Sequence, residues 1–115
     1  MNDGLSGTDR GRAVDLPAES RITGIGHGVQ TVPNAGTSRQ LTAASTPAQW
    51  VFVQAQTDNA GFVAVGGEGV NANEAVGTGL ALAAGESITL PCANLTQIWI
   101  DATVNGEGAR FLYLV

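Results

Sequence analysis

The stretch VGGEGVNANEAVG, residues 65–77, crowds four glycines and two carboxylates together. Glycine-rich runs of this kind cradle phosphates when they open a helix. A P-loop, however, ends in Gly-Lys-Ser/Thr, and this chain contains no lysine. A dinucleotide fingerprint needs Gly-x-Gly-x-x-Gly, whereas GGEG is followed by valine and asparagine, and GIGHG at Gly24–Gly28 has the wrong spacing. Both runs therefore read as turns or loops. Gly66, Gly67, Glu68, Gly69 and Glu74 become candidate contact residues at one end of a β domain, where connecting loops carry function.

The other groups able to do chemistry are few. His27 is the sole histidine, which excludes a metal site built from two of them. It sits among glycines, a poor scaffold for the tolerance that catalysis demands. Cys92 is the sole cysteine, so the chain has neither an internal disulfide nor a thiolate cluster. Its setting, LPCANL, reads as a small buried hydrophobe. The carboxylates Asp58, Glu68, Glu74, Glu86, Asp101 and Glu107 could pair across a sugar cleft. Trp99 and Asp101 share strand parity, so ring stacking and hydrogen bonding to a sugar could come from one sheet face. Equally, Trp50, Trp99 and Asp101 could belong to a core or a subunit contact. No calcium-loop pattern is present. The expectation is a protein that is not an enzyme and carries no cofactor and no metal.

These residues need elements to position them. The 115 residues suffice for one domain, with five arginines against ten acids and a formal net charge of -5. That supply of cations is poor for phosphate-backbone contacts, so nucleic acid is set aside as a partner. Charged residues make up 13%, about half the usual share, which suits a surface partly covered by other chains. No apolar signal core opens the chain and no run is long enough to span a bilayer, so no membrane partner is expected.

All six aromatic residues fall between Trp50 and Tyr113. Residues 1–36 carry none, with seven glycines and three arginines. They read as an extended N-terminal arm, and residues 37–115 as a domain. Within that domain, QWVFVQAQ is a strand with both faces apolar, as if covered on two sides. GFVAVG follows, then short strands around Leu80–Leu82 and Ser87–Leu90, split at Ala84-Gly85. QIWIDATV and ARFLYLV flank Asn105-Gly106, a hairpin signal. With a weak strand near Arg39–Leu41, six to eight strands at short spacing imply an all-β fold. The expectation is a single small β-sandwich, jelly-roll-like, preceded by the arm.

The C-terminal part, from Asn59 to Gly66, through Ala84–Ser87 and Asn94-Leu95, to Phe111–Val115, resembles small β-sandwich structural modules of tailed bacteriophages. These are found as head decoration (cement) proteins and as parts of fibres or tail machinery. The resemblance covers about residues 45–115. It implies a non-enzymatic protein that binds the outer surface of the major capsid protein shell and stabilises the virion. Such a protein is made in the bacterial host cytoplasm and ends on the outside of the capsid. The alternatives are a carbohydrate-binding module of a phage fibre or tail, or a tail or neck connector. The arm would then hold the capsid through Arg10, Arg12, Leu16, Arg21, Ile22, Ile25 and His27. Low charge and a small core point to a homo-oligomer, and three-fold shell positions to a trimer.

Overall fold

In the segment WVFVQA, Val51, Val53 and Ala55 are completely buried, while the residues between them point the other way. The same two-residue period recurs along the chain and assembles two four-stranded sheets. The computed structural model describes residues 22–115. Among these lie eight strands: β1 (Ile25–Thr31), β2 (Arg39–Gln40), β3 (Trp50–Ala55), β4 (Val63–Gly66), β5 (Leu80–Leu82), β6 (Ser87–Pro91), β7 (Trp99–Ala102) and β8 (Gly108–Leu114). The first sheet runs β1-β8-β3-β6 and the second β2-β7-β4-β5. Every pairing is antiparallel. The fold is all-β, as the sequence implies.

The core lies between the sheets. Val51, Val53, Ala109 and Phe111 of the first meet Val63, Val65, Ile100 and Ala102 of the second. Leu41, Leu95 and Ile98 close one end, and Val32 joins the same cluster. Each fully buried aliphatic side chain contributes about 1.5–3 kcal/mol. A short 3-10 turn at Leu95–Gln97 is held by Asn94 in a capping box: Asn94 accepts from the Thr96 N–H, and the Gln97 side chain accepts from the Asn94 N–H.

Three expectations need correction. First, the arm does not reach residue 36. Ile25–Thr31 pairs with β8 along its whole length, from Ile25 opposite Leu114 to Thr31 opposite Gly108. Two of the glycines of GIGHG, Gly26 and Gly28, are there for packing. A Cβ at Gly28 would sit 2.6 Å from the Phe111 ring, and one at Gly26 would collide with Tyr113. The aromatic rings of β8 lie across the glycine backbone of β1, so only glycine leaves them room.

Second, Asn105-Gly106 does not join a hairpin. It leads from β7 in the second sheet to β8 in the first. Gly106 has φ +85° and, among the described residues, no non-glycine residue has positive φ, so Asn105 does not form the primed turn of a hairpin. Its side chain instead accepts from the Ala35 N–H at 2.8 Å. Third, β3 is covered on one face only, since Phe52 is 40% exposed.

Candidate functional site

The uncovered face of the first sheet follows from its register. Ile25, Leu114, Trp50 and Pro91 stand opposite one another across four strands. The next row is His27, Leu112, Phe52 and Thr89, and the third is Val29, Arg110, Gln54 and Ser87. Ile25 is 70% exposed, Val29 59%, and Phe52 and Leu112 40% each. The first two rows are thus largely apolar and the third largely polar. A shallow cleft of about 810 Å3 crosses the face, with Phe52, Leu112 and Val29 as its apolar walls and His27, Gln54 and Arg110 among its polar ones. Among the described residues, the Arg110 side chain has no hydrogen-bond or ion-pair partner. None of the three rows contains a carboxylate, although the chain is acidic overall.

The outer face of the second sheet is roofed. Residues 67–79 fold back over it, so that Val70 and Ala72 pack on Ala64 with Trp99 against them. Asp101 is completely buried beneath this loop. One carboxylate oxygen accepts the Gly36 N–H at 2.9 Å and the other the Ala72 N–H at 2.8 Å. Charge-assisted bonds of this sort are stronger than neutral ones. Asp101 therefore pins two loops at once, and its oxygens are engaged by the protein itself.

The expected sugar face of Trp99 and Asp101 is consequently closed, one residue packed under the loop and the other fully buried. Glu107 is a second clamp. Offered by the sequence as one of a possible carboxylate pair, it is instead engaged by the backbone: its two oxygens accept the Gly61 N–H at 3.0 Å and the Ala60 N–H at 2.6 Å. Glu86 does the same at smaller scale for Ala83, across the turn at Gly85.

The glycine run forms the turn after β4. The Val70 N–H reaches the Gly67 carbonyl at 3.1 Å, and Gly69 takes φ +83°. Gly67, Glu68, Gly69 and Glu74 are exposed, while Gly66 is half-buried under Val70. Asn73 caps the next turn by accepting the Ala75 and Val76 N–H groups. These loop candidates lie with the second sheet, and the apolar rows belong to the first.

Of the expected arm contacts, Arg10, Arg12, Leu16 and Arg21 lie outside the described residues. Ile22 is half-buried, and Ile25 and His27 sit on the open face. Trp50 belongs to that face too, half-buried between Leu114 and Pro91. Cys92 is half-buried against the core, and desolvation pushes its thiol pKa up, which favours the neutral, unreactive form. Among the described residues, no group of three or more histidine, cysteine or carboxylate side chains is placed to hold a metal ion.

Sequence reasoning missed Arg110, Leu112 and Phe52 as a unit. The signal was present in parity: Phe52 alternates with Val51 and Val53, and Leu112 with Phe111 and Tyr113. What was lacking was which parity faced out. No family model, curated protein or solved structure matches the chain.

Proposed function

We propose that this protein is a non-enzymatic decoration protein of a tailed-phage capsid, binding the outside of the shell and stabilising the assembled particle. The observation that carries the reading is the open face of the first sheet. Ile25, Leu112, Leu114, Phe52 and Trp50 form a contiguous, largely apolar patch that nothing among the described residues covers. Apolar patches with a polar rim mark protein contacts. The occupant we assign is the major capsid protein, presenting apolar side chains with a carboxylate among them. Arg110 would receive that carboxylate in a planar fork, and a carboxylate-free face avoids repulsion from an acidic shell. A protein that binds the assembled shell and not its free subunits favours the shell by mass action.

Co-sedimentation with particles tests the reading. Wild-type protein should pellet with particles and Arg110→Gln should pellet several-fold less, with unchanged thermal melts. Equal pelleting of both, or none of either, would refute this reading.

The second reading is a carbohydrate-binding module. It rests on the same cleft, where the Phe52 ring lies beside the planar polar side chains of Gln54, Gln56, His27 and Arg110. Glycan-array binding lost on Gln54→Ala, with no particle binding, would favour it.

A further inference from the structure

The free edge of β1 has a property separate from the face. The Val115 N–H reaches the Gly24 carbonyl at 2.8 Å, and the Val32 N–H reaches the Glu107 carbonyl at 2.8 Å. Even-numbered residues of β1 therefore bond to β8, and the backbone groups of Ile25, His27, Val29 and Thr31 point away from the sheet. The Thr31 N–H is taken by its neighbour, the Gln30 side chain, at 3.0 Å. The N–H groups of Ile25, His27 and Val29 have no partner among the described residues. Sheet edges are ordinarily blunted by charge, proline or shortness. The edge strand β6 follows Glu86 and ends in Pro91, β2 has two residues and β5 three. The seven residues of β1, IGHGVQT, contain no charge and no proline.

We propose that β1 is a self-pairing edge: two copies of this chain join antiparallel through Ile25–Val29 about a two-fold axis at His27, making one continuous eight-stranded sheet. The occupant is a second copy for three reasons. An antiparallel strand set against itself about a two-fold axis matches every donor with an acceptor automatically. The available donors, at Ile25, His27 and Val29, are symmetric about His27, because Gln30 has removed Thr31 from the set. The edge is uncharged, so two chains of net charge -5 meet where neither carries a charge. In this register Ile25 of each copy lies beside Val29 of the other, covering two of the most exposed apolar side chains of the face. The edge favours a two-fold pair over the trimer expected from three-fold shell positions. This inference is independent of the decoration role and concerns the purified protein alone.

A contact of five residues per copy is small, so association is expected to be weak in solution and enhanced where copies are held side by side. Sedimentation velocity of the full chain over a rising concentration series should give a monomer–dimer equilibrium. Val29→Pro removes an outward N–H without touching the bonds to β8, and should raise the dissociation constant about tenfold or more, since two symmetry-related hydrogen bonds go. If that variant fails to fold, Ile25→Asp with Val29→Asp reads the same edge through opposed like charges on the solvent face. In a Cys92→Ser background, His27→Cys should oxidise to a disulfide dimer, because hydrogen-bonded antiparallel partners stand about 5.5 Å apart at Cα, within disulfide reach. Ile25→Cys alone should not. Four results overturn the proposal: a strict monomer at every concentration, a dimer indifferent to the edge variants, an Ile25→Cys dimer without a His27→Cys one, or exchange-protected Ile25, His27 and Val29 amides in dilute monomer, which would mean that residues 1–21 occupy the edge.

Discussion

Asp101 and Trp99 lie beneath the 67–79 loop on the second sheet, whereas the equivalent face of the first sheet leaves Phe52 and Leu112 open to solvent. The two faces are built from similar alternating strands. The difference is a single charged side chain with two backbone donors aimed at it. Where a buried carboxylate can tie a loop down, the sheet becomes two-sided and finished. Where no such anchor exists, apolar side chains remain outside and ask for a partner. The lesson concerns placement: the same pairing of an aromatic with an acid that suggests a ligand site in sequence becomes, once roofed, a device for holding loops.

The sharpest way to break this contrast is Asp101→Ala. It leaves the buried Ala72 N–H and the part-buried Gly36 N–H without their acceptor, at about 1–3 kcal/mol for the first and less for the second, so a loss of roughly 2–4 kcal/mol is expected. For a domain of this size the melting temperature should fall by on the order of 10–20 °C. Trp99 should become more solvent-exposed as the roof loosens, read by a red shift of its fluorescence. Asp101→Asn should fall between, because an amide keeps one acceptor and turns a donor toward the other N–H. An unchanged denaturation midpoint would mean that the loop is held by Val70 and Ala72 alone.

On the first sheet the corresponding weak point is the glycine–aromatic contact. Gly28→Val should destabilise by about 1–3 kcal/mol, since the added side chain must displace the Phe111 ring from a filled core. Gly24→Val, where nothing lies within 4 Å of a new Cβ, is the control and should have little effect. Equal midpoints for both would show that β1 can lift off without cost. Glu107→Gln comes next. It replaces one of two acceptors on the Ala60 and Gly61 N–H groups with a donor, and about 1–2 kcal/mol should be lost in chemical denaturation. Stability within error of wild type would place both amides in water.

How much of this was legible in the sequence differs between strand chemistry and topology. The strand runs at Trp50–Ala55, Val63–Gly66, Leu80–Leu82 and Ser87–Pro91 fall where residue types and turn glycines place them. Their period of two needs no partner to be recognised. What Asn105-Gly106 connects was not legible, because a turn signal fixes a reversal and not the sheet that receives it. β1 was hidden for a related reason. Its glycines imply flexibility only until the rings of Phe111 and Tyr113, more than eighty residues away, are known to lie on them. The open face was hidden because alternation marks two faces and leaves their fates equal. Asp101 resolves the second sheet's face only through Gly36 and Ala72, contacts of long sequence separation that no local pattern contains.

The smallest effect on stability should come from the open face itself, and it is the most direct measure of the contrast. Phe52 and Leu112 stand opposite each other on β3 and β8 and are 40% exposed, while their neighbour Phe111 points inward at 7%. Changing both outward residues to serine removes one cross-strand contact, worth about 0.2–1 kcal/mol. Each side chain is already 40% exposed, so the apolar burial lost with it is only part of what a core residue loses. Phe111→Ser should cost several times more, because a core ring leaves a cavity, about 3–5 kcal/mol for truncation to alanine and no less for a polar group. Urea denaturation of the two variants side by side reads this difference directly. On the proposed decoration role, the double serine variant should also lose its hold on particles, so that stability and binding part company on this face. If instead the double variant unfolds as readily as Asp101→Ala, the first sheet is no more open in solution than the second. Something then covers Phe52 and Leu112 in the folded protein itself, and the distinction between a finished face and a waiting one collapses.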